Sequence, residues 1–191
     1  NWFAVGTAIR ESPVTVKALV VKNTSLYVGG QFAELGDKTV NHIARWDGTN
    51  WLVLSSGISG ADPSVATLAA SADSIYVGGV FDSAGDVGAK NIARWQVANV
   101  WTALGTGLQG YANAVAVNLR GEVFVGGNFS RAGGVEANNL AKWDGQVWQA
   151  VGSGIGGPVH AVAVSGTDVY VGGNFATAGG ASAKYLARWN G

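Results

Sequence analysis

Cysteine and methionine are absent from all 191 residues, and histidine occurs at positions 42 and 160 alone. Without cysteine there is no disulfide, no thiolate metal site and no cysteine nucleophile. The two histidines fall at unrelated places in the pattern described below, so they make no zinc ligand set and read as structural. A charge excess of either sign is lacking too. Twelve Lys+Arg against twelve Asp+Glu leave a formal net charge of zero, with no cationic run. That balance argues against a nucleic-acid partner and against binding to an acidic membrane surface. No stretch approaches the roughly 18 apolar residues of a membrane helix, so membrane insertion is not expected. A sustained apolar period of 3.6 is missing as well, which leaves little room for helix. Position 1 is Asn rather than Met, which fits a processed chain, an excised domain or part of a longer sequence.

What is present is repetition. Thirty glycines sit at fixed places rather than in a flexible tract. Val-Gly-Gly begins at Val28, Val77, Val125 and Val171, at steps of 49, 48 and 46 residues. Ala-Arg/Lys-Trp at Ala44, Ala93, Ala141 and Ala187 moves in the same steps. A fixed period of this size signals a repeat architecture. Each repeat reads as four short strands. The first is small and apolar (Val14–Val21, Val65–Ala70, Ala114–Val117, Val159–Val164), and the second ends on Phe32, Phe81, Phe129 or Phe175. A glycine-bearing loop leads to the third, which ends on Trp46, Trp95, Trp143 or Trp189. An Asp-Gly turn at 47–48 and 144–145 then introduces an outer strand that begins with Trp. The second repeat has Gln96-Val97-Ala98-Asn99 there, a longer connection.

Residues 1–9 match the outer strands at 50–58, 100–108 and 147–155, whereas the fourth repeat stops at Gly191 without one. The expected fold is therefore all-β: a four-bladed β-propeller of four-stranded antiparallel blades. Residues 1–191 would form one domain, with repeats 10–58, 59–108, 109–155 and 156–191 plus 1–9. Pairing of strand 1–6 with strand 185–190 would close the ring and remove two sheet edges. If the same strands paired between chains instead, an eight-bladed dimer or a head-to-tail filament would result.

The string Tyr-Val-Gly-Gly-x-Phe, Ala-Gly-Gly, then Ala-Arg-Trp-Asp/Asn-Gly and Trp resembles repeats of exported bacterial and fungal surface proteins. Those are grouped with kelch-like, galactose-oxidase-type propellers and cortical-marker proteins. The resemblance covers all four repeats. It implies a secreted or cell-surface location and a binding or scaffold role. It transfers no catalytic residue, and copper-oxidase chemistry is not implied because the cysteine it needs is missing.

Candidate chemistry is sparse. No Gly-x-Ser-x-Gly elbow or phosphate loop is present. Asp37, Asp82 and Asp86 lie between second and third strands, which keeps an acid-pair glycan hydrolase in view as a lesser alternative. Their spacing does not support calcium. The eight tryptophans could stack on sugars, but all belong to the recurring set, so core packing is the favoured reading. The lysine and arginine stems at 45, 94, 142 and 188 are expected along Trp faces. If a glycan or a surface protein binds, the candidate residues are Asp86, Tyr111, Asn138, Asn139 and Tyr185 in the variable loops. Asn23 and Asn128 match glycosylation acceptors. No metal, cofactor or catalytic residue is expected. The reading is a non-enzymatic binding or scaffold module, or alternatively a structural subunit assembled through its terminal strands.

Overall fold

The structure, a computed structural model, describes residues 1–6, 14–96 and 98–191. Strands punctuated by Gly, Asn and Asp turns build it, with no helix among the described residues. Each repeat forms one main antiparallel sheet. Sheet I consists of Thr15–Lys22, Ser25–Gln31, Ile43–Trp46 and Trp51–Val53. Sheet II consists of Ser64–Ala70, Ser74–Val80, Ile92–Gln96 and Val100–Ala103. Sheet III consists of Leu108–Val117, Val123–Ala132, Leu140–Trp143 and Trp148–Ala150. Sheet IV has three strands, Val159–Ser165, Asp168–Gly173 and Leu186–Trp189. In sheets I to III these are called the first to fourth strands and in sheet IV the first to third; in sheet III Val135–Glu136 also pairs with the end of the second strand.

The loop expected between second and third strands folds further than the sequence suggests. In sheets I, II and IV it is a miniature hairpin, for example Ser83–Ala84 on Val87–Gly88. Gly85 turns that hairpin at φ 58° and lies on Trp101, where an added Cβ would come within 2.6 Å of the ring. Only glycine tolerates both the backbone conformation and the approach.

Successive sheets pack face to face through one repeated contact. Every first strand carries a bulge at the same place, between Val16 and Ala18, Val65 and Thr67, Ala112 and Ala114, and Val159 and Ala161. The bulge turns two apolar side chains three residues apart toward one face. Val65 and Leu68 of sheet II meet Gly29 of sheet I, and Val159 and Val162 of sheet IV meet Gly126 of sheet III. Ala112 and Val115 of sheet III meet Gly78 of sheet II, where an added Cβ would lie 2.9 Å from Ala112. The paired glycines thus serve close approach of neighbouring sheets. Phe32, Phe81, Phe129 and Phe175 are all buried, as the apolar filling at the end of each second strand.

The ring-closing strand pair is not made. Residues 1–6 form no strand, Trp2 and Phe3 lie in solvent, and among the described residues Leu186–Trp189 pairs with Asp168–Gly173 alone. Gly6 instead packs on sheet I, where an added Cβ would approach Trp51 Nε1 and Trp46 within 2.8 Å. Thr7, Ala8 and Ile9 of the expected opening strand lie outside the described residues. Sheets touch their neighbours in sequence order, and the first strands of sheets I and IV do not pack together as the others do. The described residues therefore form an open row.

Candidate binding surfaces

Tryptophan pairs hold the outer half of each complete sheet. Trp46 and Trp51, Trp95 and Trp101, and Trp143 and Trp148 are cross-strand partners with ring centroids 5.2, 5.0 and 5.4 Å apart, tilted by 56° to 59°. Trp101 Nε1 donates to the Leu54 carbonyl of sheet I at 3.0 Å, and Trp148 Nε1 to the Leu104 carbonyl of sheet II at 2.7 Å. Each indole thus joins its sheet to the one before. Trp95, Trp101, Trp143 and Trp148 are buried, whereas Trp46 and Trp51 are half-buried. Trp2 is exposed, and Trp189 has Phe124 of sheet III as its ring neighbour, at 6.2 Å.

Recurring polar residues are likewise engaged by the fold. Asn91 and Asn139 stand at φ 66° and 62° before their third strands. Each side-chain oxygen accepts a backbone N–H, from Phe81 at 2.8 Å and from Phe129 at 3.2 Å. Asn139 Nδ2 donates to the Ile155 carbonyl at 2.8 Å, so both ends of its carboxamide are occupied. In sheet I the position belongs to His42, at φ 72°, whose Nδ1 faces Phe32 N at 3.3 Å. The histidine is a substitute for the asparagine. In sheet IV it is Tyr185, at φ 67°, with its ring in solvent.

The other sequence candidates are spread over the molecule. Asp86 is exposed at the tip of the small hairpin of sheet II, at the repeat position that Asp37 holds in sheet I. Asn138 is exposed beside Asn139, and its carbonyl accepts the Ile155 N–H at 2.8 Å. Tyr111 lies opposite Asn128 on sheet III, and its hydroxyl accepts from Asn128 Nδ2 at 3.2 Å. Asn128 is exposed but precedes the buried Phe129, and Asn23 is exposed in the first turn of sheet I at φ 53°. Structure therefore joins Tyr111 to Asn128, and leaves Asp86 and Tyr185 on separate sheets.

Electrostatics points the same way. The Lys142 ammonium, 2.8 Å from Glu122, and then Asn118 hold the Glu122 carboxyl below its ordinary range. Ser74 and Ser71 lower Asp73 through side-chain hydrogen bonds. Backbone N–H groups of Asn50 and Thr49 lower Asp47, and those of Val147 and Gln146 lower Asp144. Among the repeated cations, Arg94 reaches Thr102 Oγ1 at 3.1 Å, Lys142 reaches Glu122 at 2.8 Å and Arg188 reaches Asp168 at 3.6 Å, while Arg45 Nε is buried without a hydrogen-bond partner among the described residues. No group of three His, Asp or Glu suited to a metal ion occurs among the described residues.

Sequence reasoning missed two features. The bulges place Lys17, Ala66, Asn113 and His160 in one row across the sheets, where Lys17 Nζ donates to Ser64 Oγ at 2.9 Å. Asn113 Nδ2 donates to the Val159 carbonyl at 2.9 Å and lies 3.4 Å from His160 Nδ1. The second feature is the pair of uncovered end faces. Val16 on sheet I is 42% exposed while its counterparts Val65 and Val159 are fully buried, and Leu19 is 61% exposed while its counterparts Leu68 and Val162 are half-buried. Tyr170 and Leu186 on sheet IV are open, and Gly172 has nothing nearer to an added Cβ than 3.8 Å.

No protein-family model and no curated protein sequence matches the chain. Among solved structures it is similar to the computationally designed Ika4 protein, with a TM-score of 0.62, 14% identity, and coverage of 96% of this chain and 95% of that one. The computationally designed Ika8 protein matches 88% of this chain with a TM-score of 0.55 and 17% identity, and there the match spans 47% of the designed chain. The fold is propeller-like. At such identities the likeness speaks for the fold alone.

Proposed function

We propose that this chain is a non-catalytic binding or scaffold module of the extracellular space or cell surface, with its four repeats acting as propeller blades. One observation carries the reading: most of the residues that recur between repeats are occupied by the fold itself. Indoles tie sheet to sheet, asparagines hold the backbone before the third strands, and glycines receive the next sheet. What varies between repeats is the loop surface, and function on repeat scaffolds resides in such variable surface. The resemblance of the repeats to those of exported surface proteins supports the location. A surface glycan or surface protein is the ligand class proposed, with Asp86, Tyr111 and Asn138 as loop contacts. The test is a glycan array alongside a panel of surface proteins. Binding lost in Tyr111→Ala or Asp86→Ala, but kept in Trp46→Phe, supports the reading; loss in Trp46→Phe alone would move the site to the indoles.

The uncovered end faces favour a second reading, a structural subunit. In it the blade that lacks its outer strand receives a strand like residues 1–6, and the row of blades continues or closes through that joint. The four-bladed ring closed within one chain is the simplest form of this arrangement.

A further inference from the structure

We propose that the end face of sheet IV is a docking surface for the opening strand and first sheet of a second copy of this chain. The inference rests on the structural-subunit reading and names its contacts. Three interfaces in the molecule already show what this face is built to receive. In each, a glycine of the second strand accepts two apolar side chains of the next first strand: Gly29 with Val65 and Leu68, Gly78 with Ala112 and Val115, Gly126 with Val159 and Val162. Sheet IV offers the fourth glycine, Gly172, where an added Cβ would meet nothing nearer than 3.8 Å among the described residues. Sheet I offers the matching pair, Val16 and Leu19, exposed on the far end of the row. Donor and acceptor faces of one repeated contact are thus both present and both unmade.

The indole ties give an independent set of vacancies in the same order. Trp101 bonds Leu54 and Trp148 bonds Leu104, one sheet back in each case. By the same offset Trp51 calls for the Val5 carbonyl, and the Val151 carbonyl calls for Trp2. Trp51 Nε1 is buried without a hydrogen-bond partner among the described residues, and Gly6, next to Val5, already lies on its ring. Trp2 is fully exposed, and Trp189 lacks the cross-strand indole that Trp46, Trp95 and Trp143 each have. Residues 1–5, paired along Leu186–Trp189 as a fourth strand, satisfy all of these at once. They place Trp2 on Trp189 and within reach of Val151, and they bring Val5 to Trp51 of their own chain. This is strand addition to an exposed sheet edge, with side-chain pockets fixing the register.

The occupant is a second copy because, among the described residues, the chain's own sheet I does not pack on sheet IV as the neighbouring sheets pack on one another. The new contact also continues an interface that the molecule makes three times. A formal net charge of zero sets no long-range repulsion between copies. The joint is heterologous, head to tail, so it closes into a ring or propagates according to the turn per subunit.

The test uses the chain of residues 1–191 in sedimentation velocity and light scattering across micromolar concentrations. Species at twice 19.5 kDa or above are expected for the unaltered chain. Gly172→Val fills space that is empty within one chain but occupied in the joint, so it should give a folded monomer with an unchanged far-ultraviolet spectrum. Leu19→Lys, on the opposite end, should do the same. Mixing these two variants should restore one joint only, giving a capped pair of one chain each. An unaltered chain that stays at 19.5 kDa with Trp2 quenched and protected has closed on itself, which overturns the second-copy occupant. A monomer with Trp2 exposed overturns the structural-subunit reading as well. If the chain assembles but Gly172→Val assembles equally well, the subunit reading stands and this docking face is wrong.

Discussion

Sheets III and IV carry nearly the same motif and live in different surroundings. Phe124 and Leu140 of sheet III are 2% and 1% exposed; their counterparts Tyr170 and Leu186 in sheet IV are 39% and 69% exposed. Trp143 has Trp148 beside it, whereas Trp189 has no ring from a fourth strand of its own sheet. The motif therefore does not determine burial. A neighbouring sheet and an outer strand do, and the repeat supplies each sheet with one half of two such contacts. This is the behaviour of a quasi-one-dimensional array, in which stability is a sum over neighbours.

The comparison is broken most forcefully at the third strand. Leu140→Ala should cost about 2–5 kcal/mol, because the side chain is enclosed by sheet IV. Leu186→Ala at the same repeat position should cost under about 0.5 kcal/mol, as for an exposed site. Urea unfolding of both variants in a Gly172→Val background keeps the molecule monomeric while the two are compared. Equal costs would mean that sheet IV is already covered within a single chain.

Repeat steps, strand order and the third-strand limits were legible because Gly, Phe and Trp recur at positions where geometry admits little else. Ile43–Trp46 and Leu140–Trp143 have the limits expected of them. The miniature hairpins were not legible, since two-residue strands have no period to detect. The bulges were hidden for a related reason: an extra residue such as Lys17 or His160 has no signature beyond a break in alternation. Asn139 was read as a loop contact, but its left-handed backbone and double hydrogen bond appear once the second strand is placed beside it. Openness at the two ends was unreadable in principle. Four similar repeats contain no local mark of which sheet lacks a neighbour, and the match of residues 1–9 to an outer strand is equally compatible with pairing inside one chain or between two.

A smaller effect separates the indoles. Trp148→Phe removes the indole bond to the Leu104 carbonyl, which keeps its bond from the Gly107 N–H, whereas Trp51→Phe removes a donor with no partner among the described residues. Packing losses are of the same kind in both. The hydrogen bond should make Trp148→Phe the costlier by about 0.5–1.5 kcal/mol in the monomeric background. A reversed order in chemical unfolding would show that Trp51 is already tied to a carbonyl there.

Tyr185 and Asn139 test the comparison with opposite signs. Asn139→Ala deletes two backbone contacts and strains a left-handed residue, so it should destabilise by about 1–3 kcal/mol. Tyr185→Asn should stabilise by about 1 kcal/mol, because asparagine tolerates φ 67° and can accept the Phe175 N–H as its counterparts do for Phe81 and Phe129. Melting temperatures moving in the same direction would sever the equivalence of the two positions.

The smallest difference lies in the turns before the fourth strands. In sheets I and III, Asp47 and Asp144 each accept two backbone N–H groups, at 2.7–2.9 Å, and their carboxyls sit below the ordinary 3.8. In sheet II Gln96 holds the place, so that turn has no titrating group. A carboxyl whose folded value is lowered stabilises the fold fully above its unfolded value and stops doing so as pH falls through the folded one. The urea midpoint should therefore drop between about pH 5 and about pH 3, with Asp73 and Glu122 adding to the slope in the same sense. The double variant Asp47→Asn/Asp144→Asn should show a shallower fall than the unaltered chain, because asparagine can keep the turn without titrating. Parallel curves would mean that these turns are as indifferent to protonation as that of sheet II, and that the ion pair of Glu122 with Lys142 and the serine contacts of Asp73 account for the acid sensitivity.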